Sequence, residues 1–194
     1  MKHFILPAAL MSLVVGTAQA ASDSGVRGTA PLRTVAKVDL QRYVGTWYEI
    51  ASYPQQFQKG CTATTAVYTL REDGMIQVVN RCNRDSLDGR ETIARGRARV
   101  VDHESKAKLK VSFFWPFWGD YWIIDLDPEY RYAVVGHPNR KYLWILSRTR
   151  IMDPLVYAVI LERLTAQGYD ISKLRVTLQP QEPDAPGPAA RPAR

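Results

Sequence analysis

Very few side chains in this 194-residue chain have the types and spacing that covalent or proton-transfer chemistry needs. Beyond the first twenty residues the only histidines are His103 and His137, and the only cysteines are Cys61 and Cys82. A hydrolase elbow, a glycine-rich phosphate loop and zinc-ligand spacing are all missing from the text of the chain. Catalysis requires a nucleophile beside a base, or a metal site, and the sequence offers no clear pair. We therefore expect no catalytic residues and no metal, with a lipid-active enzyme kept as an alternative. The chain opens with Lys2, an apolar stretch over 4–15 and the small-residue site Ala18-Gln19-Ala20. That is the pattern of a secretory signal, which sends both cysteines to an oxidising compartment, where a pair reads as a disulfide.

The second chemically distinctive feature is aromatic. Phe113-Phe114-Trp115-Pro116-Phe117-Trp118 holds five aromatics in six residues and is followed by Tyr121 and Trp122. So many rings in one link cannot all enter a core. Phe114, Trp115, Phe117 and Trp118 are read as a binding lip or a membrane contact. The formal charge of +7 is spread over scattered Lys and Arg. Arg95, Arg97 and Arg99 alternate on one strand face and read as a solvated outer wall, without the basic stripe or reading motif of a nucleic-acid binder.

The elements that must carry these residues are short and β-rich. Strands are expected near 47–53, 63–71, 75–82, 91–100, 107–113, 119–126, 131–137 and 142–148. Glu72-Asp73-Gly74, Asp127-Pro128 and His137-Pro138-Asn139 supply the breaks. Leu109, Val111 and Phe113 share one face against Lys108, Lys110 and Ser112, and Ile76, Val78 and Asn80 oppose Gln77 and Arg81. Asp153-Pro154 opens the one convincing helix, with Val156, Val159, Ile160 and Leu164 at helical spacing and Gly168 at its end. A short ninth strand over 174–178 follows. Regular short strands with hairpin-length links point to an antiparallel sandwich or barrel, and the one-sided apolar faces suggest the closed form; the expected fold class is all-β, an eight-stranded antiparallel up-and-down barrel with one α-helix packed outside. The domain plan is a signal peptide over 1–20, a linker over 21–38, the barrel plus helix over 39–179 and a disordered Pro/Ala-rich tail over 180–194, where five prolines fall.

Three signatures sharpen this reading: Gly45-Thr46-Trp47-Tyr48 in the first strand, Asp127-Pro128-Glu129-Tyr130 between the sixth and seventh, and Trp144-Ile145-Leu146-Ser147-Arg148 in the eighth. In this order and spacing the chain resembles the lipocalin family over about 39–178, and is similar to its bacterial, outer-membrane lipoprotein type, kin of apolipoprotein D. The resemblance implies that Trp47 plugs the closed end with Arg148 across its ring, and that Gly45, Asp127 and Tyr130 are likewise structural. It usually brings an outer-membrane lipid anchor. No cysteine lies at the cleavage region, so a periplasmic or cell-envelope soluble protein is expected.

With Trp47 inward, alternation assigns the interior. Strand one contributes Ala51, with Glu49 inward near the closed end and hydrogen-bonded or protonated there. Strands two and three contribute Thr64, Ala66, Tyr68, Ile76, Val78 and Asn80. Strands four and five add Ala94, Ala98, Leu109, Val111 and Phe113. The rest are Tyr121, Ile123, Val135, Tyr142 and Trp144. Small residues beside large rings imply a hollow. The links 54–62, 83–90, 114–118 and 138–141 then ring the open mouth, which brings Cys61 near Cys82. Strict register from the 72–74 turn misses that pairing by three residues, so the chain before strand two has to bulge or fold back. The bridge is worth roughly 3 kcal/mol.

The expected function is carriage of a small lipophilic ligand, a fatty acid or lysophospholipid, with its polar end at the rim and no resident cofactor. The alternatives are a haem or pigment carrier on the same barrel, with His137 as axial ligand, and a surface module whose lip touches membranes. The expected state is a monomer or weak dimer.

Overall fold

The computed structural model describes residues 30–181. The expected signal peptide lies outside the described residues, as does nearly all of the expected tail. A short helix, α1 (Leu40–Tyr43), leads into β1 (Gly45–Ser52), and β2 (Cys61–Leu70) and β3 (Ile76–Arg84) follow. The meander continues through β4 (Glu91–Val100), β5 (Lys108–Phe114), β6 (Phe117–Leu126), β7 (Tyr132–Gly136) and β8 (Leu143–Ser147). Each strand pairs antiparallel with its successor, and β1 pairs with both β2 and β8, which closes the barrel. Closure leaves no open sheet edge. Helix α2 (Pro154–Ala166) and the two-residue β9 (Arg175–Val176) complete the chain.

The expected eight strands, helix and ninth strand are all present, with boundaries shifted by a few residues. The largest local difference is at 114–118. There β5 and β6 run to Phe114 and Phe117, which pair, so the aromatic link is a tight hairpin with Trp115 and Pro116 at its tip. Part of the expected linker also belongs to the folded body. Leu32 and Val38 are buried, and the Val35 and Val38 amides donate to Ile123 O at 3.0 Å and Ser105 O at 2.8 Å.

Two apolar cores lie on opposite sides of the same strands. One fills the lower barrel around Trp47, Tyr43, Ile123 and Ala133. The other lies outside, where Ile160 and Leu164 of α2 cover Ile124, Val134, Leu143 and Ile145. All of β7 is buried for this reason. The helix begins where expected, because the Asp153 carboxylate accepts from Leu155 N at 2.7 Å and Pro154 takes the first helical position. Val159, assigned to the apolar stripe, instead remains 42 % exposed.

Simple alternation breaks at β-bulges, where an extra residue flips the following side chains to the other face. In β1 the pairing with β8 slips between Glu49 and Ala51. Ala51, expected inward, consequently packs in the outer core beneath α2. A second slip lies between Ile123 and Asp125 of β6. A third lies between Thr62 and Thr65 of β2, where Ala63 takes a φ of 51°. This bulge lies inside β2 rather than before it and shifts the register by one residue, setting Cys61 opposite Arg84; the bridge spans the remaining offset diagonally to Cys82, with the Cα atoms 5.4 Å apart.

Candidate functional site: a hollow between a clamped floor and an aromatic mouth

The closed end is built from the signature residues. Trp47 is fully buried, and its indole N–H donates to Tyr43 O at 2.8 Å. The Arg148 guanidinium lies over the indole, 3.7 Å from the ring centroid. It also donates to four carbonyls of the incoming chain, Arg42 O, Tyr43 O, Val44 O and Thr46 O, at 2.7–3.1 Å. One cation thus holds the turn between α1 and β1 against the floor. Gly45 has a φ of 97°, a backbone conformation glycine adopts without strain, and a Cβ there would sit 3.4 Å from the Arg148 guanidinium. Asp127 accepts from Glu129 N, Arg131 N and the Arg131 guanidinium, and these bonds hold its carboxyl below the usual carboxylate range. The Tyr130 hydroxyl accepts from Asp39 N at 2.8 Å, and Arg42 lies over its ring.

Above this floor lies a cavity of about 760 Å³, within the roughly 300–1,000 Å³ typical of small-ligand sites. Thr64, Ala66 and Tyr68 line it from β2, and Ile76, Val78 and Asn80 from β3. Leu109, Val111 and Phe113 line it from β5, Tyr121 from β6, Val135 from β7, and Tyr142 and Trp144 from the β8 side. On β4, Ala94 and Ala98 face the hollow, and Gly96 falls between them on the same face. A Cβ at Gly96 would come within 2.7 Å of Ser112 O and 2.8 Å of the Phe113 ring, so only glycine fits this close approach of β4 to β5. This run of small residues keeps one wall thin and the interior hollow. Ile123, expected to touch ligand, is fully buried in the floor core and does not line the cavity.

The expected ring of links surrounds the mouth. Phe57, Phe114 and Phe117 are exposed at the cavity edge, and Trp115 is exposed at the hairpin tip. Trp118 also borders the cavity but is half-buried, with Arg99 and Arg97 stacked 4.6 and 5.6 Å from its ring centroid. His137 also lines the mouth; its Nδ1 accepts from Asn139 N at 3.3 Å, and its Nε2 lies 3.7 Å from Asp120, itself bridged to Lys110 at 3.0 Å.

Glu49 is buried and faces inward, but it is tied toward the mouth rather than to the closed end. Its carboxylate accepts from Ser52 Oγ at 3.0 Å, Gln58 Nε2 at 2.8 Å and Thr177 Oγ1 at 2.6 Å. Gln58 in turn accepts from Trp144 Nε1 at 3.0 Å. Glu49 therefore knits the first mouth link and the C-terminal strand to the barrel. Tyr43, Phe57, Gln58 and Gly96 were missed in the sequence. Only Gly96, between two inward alanines, carried a periodic signal.

Comparison with known proteins follows the same outline. The family profile described as a lipocalin-like domain matches residues 38–179. Over 147 residues the chain is 44% identical to the outer membrane lipoprotein Blc of Escherichia coli, covering 75% of this chain and 82% of that one. It is 42% identical over 161 residues to temperature-induced lipocalin-1 of Arabidopsis thaliana, covering 78% and 85%. Mouse apolipoprotein D is 35% identical over 155 residues, covering 75% and 79%. Among solved structures, insecticyanin from the tobacco hornworm superposes with a TM-score of 0.61 at 20% identity, covering 75% of this chain and 83% of that one.

Proposed function

The chain belongs to the lipocalin family, whose members bind small hydrophobic ligands, and from that premise we propose that this barrel carries a fatty acid or lysophospholipid in the cell envelope and performs no chemistry on it. The observation that carries the reading is the apolar hollow of about 760 Å³ closed at one end by the Trp47–Arg148 floor. An acyl chain entering it gains roughly 0.8 kcal/mol per buried methylene, about 8 kcal/mol gross for ten methylenes before the association cost is subtracted. Cations suited to an anionic headgroup, Arg81 and Arg84, line the cavity from the mouth end of β3. The Cys61–Cys82 bridge and the outer-membrane naming of the Blc relatives both support an exported protein.

The test is native mass spectrometry of the protein as isolated, with Ala94→Trp as the matched variant. Ala94 faces the hollow and keeps accessible surface there, so a large ring at this position fills space without displacing core. We expect a co-purified lipid in the parent, and in the variant at least a tenfold loss of fatty-acid affinity with an unchanged melting temperature. Undiminished binding by Ala94→Trp would sink the cavity as the site. Absence of turnover when purified protein is incubated with lysophospholipid is the expected result for a carrier; release of fatty acid would revive the enzyme alternative.

The mouth favours a second, compatible activity: contact with the membrane from which ligand is drawn. Phe114, Trp115 and Phe117 are each at least 75 % exposed on one hairpin, an arrangement that gains by insertion among lipid headgroups.

A further inference from the structure

Three tyrosines meet at the bottom of the hollow. Tyr43 comes from α1, Tyr68 from β2 and Tyr121 from β6, and all three line the cavity. The Tyr43 and Tyr121 hydroxyls lie 2.7 Å apart, and those of Tyr68 and Tyr121 lie 3.0 Å apart. Each hydroxyl brings one proton, and the two contacts consume two. Whichever way the bonds run, one O–H has no protein acceptor among the described residues. A buried donor left unmatched costs about 1–3 kcal/mol, so this floor is polarised for something to accept from it.

A second observation lies on the adjoining wall. Thr64 Oγ1 and Asn80 Oδ1 are buried without a hydrogen-bond partner, and both residues line the cavity on the β2–β3 side that carries Tyr68. The cavity's cationic side chains, Arg81 and Arg84, come instead from the mouth end of β3. A bare carboxylate taken down to the tyrosines would leave water without a cation to meet it, whereas a neutral oxygen incurs no such cost.

We infer that the floor is an oxygen-binding subsite: the tyrosine triad donates a hydrogen bond to a neutral oxygen, keto or hydroxyl, at the leading end of an elongated lipophile. This rests on the carrier reading and narrows it to chains oxygenated at the end that enters first. Burial raises all three phenols, Tyr68 to about 12, so the triad keeps its protons at any physiological pH.

The experiment compares 2-decanone with 2-methyl-1-decene, which differ by an oxygen against a methylene, as competitors for a bound naphthylamine dye. The readout is the ketone-to-alkene affinity ratio, because a buried carbonyl without a donor is disfavoured against the alkene. The ratio is expected to be about fivefold higher in the parent than in a triple variant carrying Tyr43→Phe, Tyr68→Phe and Tyr121→Phe, as one neutral hydrogen bond predicts. The infrared carbonyl stretch of ketone bound to the parent protein provides a readout that needs no variant: it should lie below its position in alkane. A ratio unchanged between parent and triple variant overturns the subsite, as does an alkane-like carbonyl band. Failure of both competitors to displace the dye has a different meaning, since it removes the carrier reading and the subsite with it.

Discussion

Arg148 shows how much of the closed end depends on one side chain. It stacks on Trp47 and donates to four backbone carbonyls, of which Tyr43 O also accepts from the Trp47 indole. Arg148→Met is expected to destabilise the protein by about 3 kcal/mol, and Arg148→Lys to recover only part, because a point charge cannot span the same fork. Urea unfolding monitored by far-ultraviolet circular dichroism measures both. The buried tyrosines act at the other end of the pH scale. Their folded-state values lie above the ordinary value near 10, so their contribution is fully present below pH 10 and is lost as pH rises through the folded values, Tyr68 reaching about 12. Each phenol that retains its proton in the native state while the unfolded chain has lost it lowers stability by about 1.4 kcal/mol per pH unit. Unfolding free energy should therefore fall steeply between pH 10 and 12, and a protein with phenylalanine at Tyr43, Tyr68 and Tyr121 should show a flatter profile.

At the scale of elements, the seams matter more than the strands. Strands β1 and β2 pair only between 45–48 and 65–68. Above that, the C-terminal segment joins both: Thr177 N donates to Ile50 O, and Ala63 N to Leu178 O. The Gln179 side chain reaches Glu49 O and Thr64 O. The Cys61–Cys82 bridge fastens the β2–β3 pair at the same mouthward end, just past the β2 bulge. Replacing both cysteines by alanine should lower stability by roughly 3 kcal/mol, the chain-entropy value for a loop of this length, and thermal melting of the oxidised and double-alanine proteins gives the comparison. Because the bridge closes this loop and does not hold the floor, lipid should still bind the double-alanine protein in the cold. Loss of binding at full native signal would assign the bridge a role in shaping the cavity.

For the molecule as a whole, burial is lopsided. Strands β6, β7, β8 and β1 are covered inside by the floor core and outside by α2, while the outer face of β4 carries Arg95, Arg97 and Arg99 into solvent. Apolar side chains left exposed include Phe57 and the Phe114–Phe117 hairpin at the mouth, besides Ile151, Leu155 and Val159 around the start of α2 and Val176 and Leu178 in the C-terminal segment. Replacing Phe114, Trp115 and Phe117 together by serine should leave the melting temperature unchanged, because all three side chains are exposed. The same change should abolish co-flotation with anionic liposomes, and retention of flotation would refute the membrane contact.

Strand count, barrel class and helix start were legible because two-residue alternation, turn chemistry and an Asp-Pro cap are local patterns; the disulfide, spanning 21 residues, was legible because the described residues hold a single cysteine pair. Apart from Ala51 and Ile123, the residues that alternation turned inward do line the hollow, since a regular strand carries its facing forward two residues at a time. Ala51 escaped because a bulge resets that count, and a bulge has no reliable residue signature. Ile123 was rightly turned inward, but how far the floor rises along β6 is set by Trp47 and Tyr43 arriving from elsewhere in the chain. The same reason hid the tyrosine triad and the Glu49 hub. Their members lie far apart in sequence and have no common period, so only closure of the barrel brings their hydroxyls and carboxylate together.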